Sequence, residues 1–493
     1  MVRSTQTGGR ASTRKSCTSY HMVRQSSLLV IWAWLIAASL TADAAEGTFT
    51  AFPDRSYAIE HVEMIDGLGT PARRDWTVVV ENGIISAVGP SATTTVGQGI
   101  RVIDGHGKSL MPGIVGMHEH LYYETNETMR EAPTMLFSAP KLYLAAGVTT
   151  ARTTGSFETY AELNLKRRIE SGLEPGPDLD VTGPYLSGPN EPLLTQYASL
   201  SSPQDARETV DFWTSRGVTS FKAFLALTRD ELKAVITEAH ARGALVAGHL
   251  CSITMGEAAD LGIDELEHGI VQSSDFVDGK VFDVCPPFRA LFKSWASLQP
   301  DDPRVAALIQ KLVAHRVAVT STLAVLESGF GLAPPLSQRE LSLLNDDAKH
   351  GYQEARSDPH QLPAKVARHI LAVEMAFERA FVAQGGLLTE GADAGAGVIP
   401  GFADQREVEL LVVAGFTPLQ AIEITTANGA RAMHRFDRIG SVERRKQADL
   451  LLLDGDATSD IATIEHPVLV IRNGTVYDPK KLVEATIGHV GRE

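Results

Sequence analysis

Four histidines, a lysine and an aspartate recur at places where a metal centre would need them. His118 and His120 stand one residue apart at the end of the run Met111-Pro-Gly-Ile-Val-Gly-Met-His-Glu-His120. Side chains alternate between the faces of an extended strand, so these two imidazoles share a face and can grip one cation. Pro112-Gly113 sets a turn ahead of them. A lone His-x-His is as often a surface or core feature. Its weight comes from four later positions: Lys222 in Thr219-Ser-Phe-Lys-Ala-Phe224, His249 in Ala247-Gly-His-Leu250, His268 in Leu266-Glu-His-Gly269, and Asp393 in Thr389-Glu-Gly-Ala-Asp-Ala-Gly395. Each closes or carries a short apolar run. Imidazole and carboxylate ligands suit zinc and similar divalent ions. An ammonium beside cations is repelled, so a lysine serving such a site must lose its charge. Its carbamate, the adduct with carbon dioxide, offers two oxygens that can bridge two ions about 3.5–4 Å apart.

The elements that must position these groups follow a regular rhythm. Strand-like runs are expected at 114–120, 148–153, 179–183, 218–223, 244–249, 263–268, 317–322 and 387–393. Helical patterns lie between them, for example at 161–170, 204–216, 229–242, 303–315 and 364–384. Thr228 and Ser202-Pro203 are start signals, and Arg216-Gly217 and Arg242-Gly243 are stop signals. Eight strands alternating with helices predict a (β/α)8 barrel, whose site lies at the C-terminal strand ends. An open doubly wound sheet is the competing layout. It calls for a Gly-rich phosphate turn after the first strand, where this chain has His118-Glu119-His120-Leu121. Residues 327–365 interrupt the rhythm with Gly329, Gly331, Pro334-Pro335 and Pro359. They read as an insertion over the site, or as a solvated loop with one short helix.

Both ends of the chain are β in pattern. Asn82-Gly83 and Asn473-Gly474 each separate two apolar runs, a hairpin signal. Neither end alone can bury a good core, so the two are expected to pair into a small β-sandwich of residues 45–111 and 433–493, flanking a metal-dependent barrel of 112–432. Residues 1–44 read as a secretory signal: five basic residues (Arg3, Arg10, Arg14, Lys15, Arg24), the apolar run Leu28 to Leu40, then Ala42-Asp43-Ala44. A single membrane anchor is the alternative, but the run is short of the ~20 residues a span requires. The protein is therefore expected to be exported, periplasmic or secreted, with no stable membrane insertion after signal removal.

Hydrophobic content of 44% and charged content of 21% are those of a globular enzyme. The net charge of −15 argues against nucleic acid as a partner, since that needs a basic face. Loss of the basic leader makes the balance more negative still. Cys251 and Cys285 remain beyond the leader and could pair in an oxidising compartment, but two buried free thiols are the expectation.

With these motifs in hand, the chain resembles the amidohydrolase superfamily. Within it, the chain resembles the exported metal-dependent dipeptidase and carboxypeptidase-like group related to imidazolonepropionase-type sequences. The resemblance runs from about Ala51 to Ala485. It rests on Asp66-Gly67-Leu-Gly69, Glu81-Asn-Gly83, Pro112-Gly113 with His118-x-His120, Ala448-Asp449-Leu450 and Arg472-Asn-Gly474. It implies a barrel with a β-sandwich, two divalent ions of zinc type, and hydrolysis of an amide or ester-like bond. Carried over by position, His118, His120 and Asp393 hold the buried ion, His249 and His268 hold the outer ion, and carboxylated Lys222 bridges them. Gly116 and Met117 stand where many members carry an aspartate just before His-x-His. Members that use one ion lack the bridging lysine. A Lys222 that merely reached a carboxylate would leave a one-ion site.

The expected activity is cleavage of dipeptides or N-acyl amino acids by a small-molecule hydrolase of carboxypeptidase type, mycotoxin amides such as ochratoxin included. A hydroxide shared by the two ions is the nucleophile, and Asp393 is the proton shuttle. Tyr123, Tyr185, Arg152 and Arg289 are candidates for substrate binding, the arginines for a carboxylate. The alternatives are a lactonase, cyclic amidase or organophosphate hydrolase on the same metals, and a non-catalytic metal-binding protein. The resemblance also implies a homo-oligomer.

Overall fold

A computed structural model describes residues 48–125, 132–191, 193–194, 196–357, 362–395 and 397–493. The expected leader lies outside the described residues. The chain opens with strands β1 (Tyr57–Met64), β2 (Arg73–Glu81), β3 (Ile84–Pro90), β4 (Arg101–Asp104) and β5 (Lys108–Pro112). The barrel follows: β6 (Ile114–Glu119), β7 (Val148–Thr153), β8 (Asp178–Asp180) continued by β9 (Thr182–Ser187), a short β10 (Ala198–Ser199), β11 (Ser220–Ala223), β12 (Leu245–Gly248), β13 (Glu265–Glu267), β14 (Ala318–Ser321) and β15 (Leu388–Glu390). The last strands, β16 (Leu450–Asp454), β17 (Pro467–Arg472) and β18 (Thr475–Tyr477), return to the first ones.

The two ends of the chain share one sheet, ordered β18-β17-β16-β5-β1-β2-β3, with β4 beside β1. The junction is antiparallel β16 on β5, Leu452 opposite Leu110. Tyr57, Ile59, Val78, Val80, Leu110, Leu450, Leu452, Ile471 and Val476 meet in one apolar core. A single face of strands from both ends therefore lines it, as period-2 alternation requires. Both hairpin turns have positive φ at their two central residues, 49° and 84° at Asn82-Gly83 and 48° and 75° at Asn473-Gly474. That is the primed turn that matches strand twist. The turns also pack on each other: a Cβ on Gly474 would sit 2.2 Å from the Gly83 backbone.

The barrel strands are parallel, with Lys222 beside Ala247, Leu266 beside Val319 and Thr320 beside Thr389. Closure comes where β15 meets β6. The Asp393 backbone N–H donates to the His118 carbonyl at 3.0 Å, and a Cβ on Gly391 would lie 2.4 Å from the His118 nitrogen. Only glycine permits that approach, which brings the first and last strand ends together. The fold is a (β/α)8 barrel with an additional β domain, as the alternation of strands and helices predicted.

Helices cover the outside at Thr159–Glu170, Pro203–Thr214, Arg229–Ala241, Pro303–His315 and Ala364–Ala383. Ser202 and Thr228 cap theirs, and Thr228 forms a reciprocal box with Glu231. The described residues of the stretch 327–365 hold more helix than the single short one of the solvated-loop reading. They carry helices Gln338–Leu343 and Asp346–Ser357. Among the described residues no helix is long and apolar enough to cross a membrane.

Candidate metal centre

Strand ends bring five of the six expected groups into one interlocking cluster, and the sixth, His249, packs edge-on against His268. His120 Nε2 lies 2.8 Å from Asp393 Oδ1, and His118 Nε2 lies 3.3 Å from the same oxygen. His268 Nδ1 is 3.6 Å from Asp393 Oδ2. Ring centroids of His118 and His268 are 4.6 Å apart, and those of His249 and His268 are 4.5 Å apart. Lys222 is buried and reaches Glu267, whose other oxygen lies 3.7 Å from His118 Nδ1. His249 and Asp393 are partly exposed, so they form the open side of the cluster.

Two breaks in strand alternation build this geometry. On β13, Glu265 and Glu267 both point into the barrel. Strict alternation would then turn His268 outward, but His268 has φ of 64°, and the left-handed turn swings its ring to the rim. Asp393 has φ of 50° and is turned in the same way. Left-handed backbone is uncommon for such residues and concentrates at functional sites. β6 adds a bulge: its pairing with β7 shifts between Gly116 and Glu119, and a Cβ on Gly116 would meet the Glu119 side chain. His118 and His120 face in, while Val115 and Met117 pack outward on Ala430, Met433 and Ile439.

Burial sets the protonation of the rings. It depresses the pKa of His118, His120 and His268, and brings His249 down to about 3. All four are therefore neutral at pH 7, the form that binds metal. Burial pushes the Asp393 carboxyl up, but His118, His120 and His268 outweigh it and hold it well below the usual carboxylate range. Lys222 is driven well below its ordinary value, first by burial.

These residues fit a divalent cation. One ligand atom each of His118, His120 and Asp393 lies within 4.8 Å of the others, as do those of His118, Glu267 and His268. The buried Nδ1 atoms of His118 and His120 have no hydrogen-bond partner. Two residues were not anticipated. Glu267 adjoins His268 in sequence, and a strand of two inward glutamates, Glu265 and Glu267, would have been its signal. Glu124, past β6, has its pKa pushed up to about 8 by burial and then by Asp393.

The substrate candidates divide. Arg289 is exposed and lines a cavity of about 620 Å³ together with Phe288, Phe292, Trp295, Tyr352 and Gly395. A second cavity of about 660 Å³ shares Gln272 and Phe288 with it and includes His249. Tyr352 comes from the helix Asp346–Ser357, so the insertion does wall the first cavity. Tyr185 is buried, its hydroxyl 2.5 Å from that of Tyr122, and the Tyr123 hydroxyl accepts from Gly397 N–H at 2.8 Å. Arg152 corrects the expectation. It is 2% exposed and fully engaged with Glu265 and the Met117 carbonyl inside the barrel, because a guanidinium there must be paired. The cysteines also depart from the reading as free thiols. Cys251 and Cys285 form a disulfide across 34 residues, which ties the segment after His249 to the loop before Phe288.

The sequence profile of the Amidohydrolase family matches residues 109–477, and the chain belongs to that family. As a member it is a hydrolase acting on carbon–nitrogen bonds, in a family whose members generally bind divalent metals. Solved structures share the fold. A candidate prolidase from Bifidobacterium longum is 26% identical, with 87% of this chain and 98% of that chain covered and a TM-score of 0.62. A Xaa-Pro dipeptidase with methionine bound in its active site is 19% identical over 86% of this chain and 100% of that chain, with a TM-score of 0.64. Bottromycin amidohydrolase is 20% identical over 91% and 93%, with a TM-score of 0.67. No curated protein matches the sequence.

Proposed function

We propose that this chain is an exported binuclear-metal hydrolase that releases an amino acid from dipeptides or N-acyl amino acids. The observation that carries the reading is the meeting of four neutral imidazoles, a buried lysine and one ionised carboxylate beside an apolar cavity. His118, His120 and Asp393 would hold one ion and His249 and His268 the other, with Lys222 as a carbamate between them. Zinc suits this nitrogen and oxygen donor set. Two such ions, when bound, would supply an activated water at neutral pH and would polarise the amide carbonyl. Asp393, ionised at the start, accepts the proton of the attacking water and hands it to the leaving nitrogen, which cannot depart unprotonated.

The cavity supports the substrate class. Phe288, Phe292 and Trp295 offer an aromatic wall, and the exposed Arg289 fork matches a carboxylate. A substrate joining an aromatic acyl group to an amino acid presents both features, and ochratoxin is of that kind. The disulfide is at home in an oxidising compartment, in line with the leader-like 1–44.

Metal content per chain, followed by hydrolysis of N-acyl amino acid, lactone and organophosphate panels, tests the reading. Two zinc-type ions and preferential N-acyl amino acid turnover are expected. Arg289→Met should lower kcat/KM about 10–100-fold for substrates with a free carboxylate and leave their amides unaffected. Labelled carbon dioxide should give a carbamate carbon signal that Lys222→Met abolishes. Preferential turnover of lactones, or a metal-free inert protein, would replace the reading.

A further inference from the structure

Behind the metal centre lies a second cluster that the proposed reaction does not use. Glu119 closes β6, Glu390 closes β15, and Asp404 stands in the first turn of the helix Phe402–Ala414. One carboxylate oxygen of each lies within 4.8 Å of the others, and all three side chains are fully buried. A separate observation points to a missing partner. Neither oxygen of Glu390 accepts any hydrogen bond, and Glu119 Oε2 and Asp404 Oδ1 accept none either. The remaining oxygens are satisfied by backbone: Glu119 Oε1 by Ala392 N–H at 3.3 Å and Asp404 Oδ2 by Gly401 N–H at 2.9 Å. Glu119 also interacts with the Asp404 carboxyl and with the Tyr143 hydroxyl. Among the described residues no lysine, arginine or histidine is ion-paired with any of the three.

We propose that Glu119, Glu390 and Asp404 form a further cation site, for a hard divalent ion of the calcium or magnesium type. Buried carboxylates are found paired or on metals, because isolated ones lose too much solvation. An all-oxygen set selects hard cations over zinc. Oxygens up to 4.8 Å apart can sit on opposite sides of calcium, which binds oxygen at about 2.3–2.6 Å. The ion would fasten three elements at the seam where the barrel closes. Glu119 lies between His118 and His120 but faces the other way, and Glu390 precedes Asp393 by three residues. The site therefore holds the two ligand-bearing strand ends in register from behind. It stands whether or not the hydrolase reading does.

The test uses the full chain, loaded with zinc so that the first centre is filled, then freed of loosely held ions. Elemental analysis should find one calcium or magnesium per chain in addition to zinc. Added calcium should raise the Tm of protein stripped of hard cations by several degrees, with magnesium as the parallel arm. Glu390→Gln, close to isosteric, should lose that one ion and the Tm response while keeping its zinc. Should this variant fail to fold, terbium luminescence on the wild type, with calcium competing, reads the site directly. Wild type with no calcium or magnesium, no terbium signal and an unmoved Tm would overturn the proposal, and the carboxyls would then be sharing protons. So would Glu390→Gln with its full complement of hard cations.

Discussion

Arg152→Ala separates a scaffold role from substrate recognition. Arg152 donates from Nη1 to Glu265 Oε2 at 2.8 Å and from Nη2 to Glu265 Oε1 at 2.5 Å. Its Nε and Nη2 also hold the Met117 carbonyl at 3.0 and 2.7 Å. Glu265 is 3% exposed, and without the guanidinium it keeps only the Thr320 hydroxyl as a side-chain donor. Removing one partner of a buried pair costs about 3–5 kcal/mol, because the other charge is left uncompensated. Unfolding entropy of about 2.1 cal/mol/K per residue makes that a fall in Tm of roughly 3–5 °C for a chain of this length. Arg152→Met with Glu265→Leu removes both charges and should recover most of the loss. Because Met117 precedes His118, the single variant should also lower kcat, with KM little changed. Calorimetry and steady-state kinetics read both quantities. A single variant that melts like wild type, and shows only a raised KM for carboxylate-bearing substrates, would refute the scaffold role.

Asp393→Asn should keep much of the bound metal and lose nearly all turnover, read by elemental analysis beside kcat; near wild-type turnover would remove the assigned proton shuttle. Reducing the Cys251–Cys285 bond, which closes a loop of 34 residues, should destabilise the protein by about 4 kcal/mol on the loop-entropy relation; equal melting with and without reductant, together with titratable thiols at both Cys251 and Cys285, would show that the bond does not form. Stripped of all metals, the protein should melt lower at pH 8 than at pH 6.5. Burial raises the pKa of Glu374 to about 8 and of Glu407 to about 7, above the ordinary 4.5. The folded state then binds the extra protons, so this stability is complete below about pH 4.5 and is lost as pH rises through 7 and 8. A Tm that rises over that interval contradicts the assignment.

The residues that meet in the candidate metal centre were readable one by one because each sits at the end of a short apolar run. His118 and His120 face together by strand alternation, and hairpins at Asn82-Gly83 and Asn473-Gly474 follow from turn chemistry. The alternation of strands and helices was enough to give the barrel, and the two β-patterned ends, each too small for a core, were enough to pair them. What stayed hidden were contacts between strands far apart in sequence. Arg152 looked like a free arginine at a strand end, and only the neighbouring Glu265 shows that it is spent. Lys222 has no local mark of its partner Glu267. The Cys251–Cys285 bond and the Glu119, Glu390 and Asp404 cluster likewise depend on which elements become neighbours. The left-handed turns at His268 and Asp393 override the period-2 rule from which facing directions are read. Residue type and local spacing decide which groups can reach a face. Closure of the barrel decides which charges meet there, because a buried charge must find its partner across the fold and not along the chain.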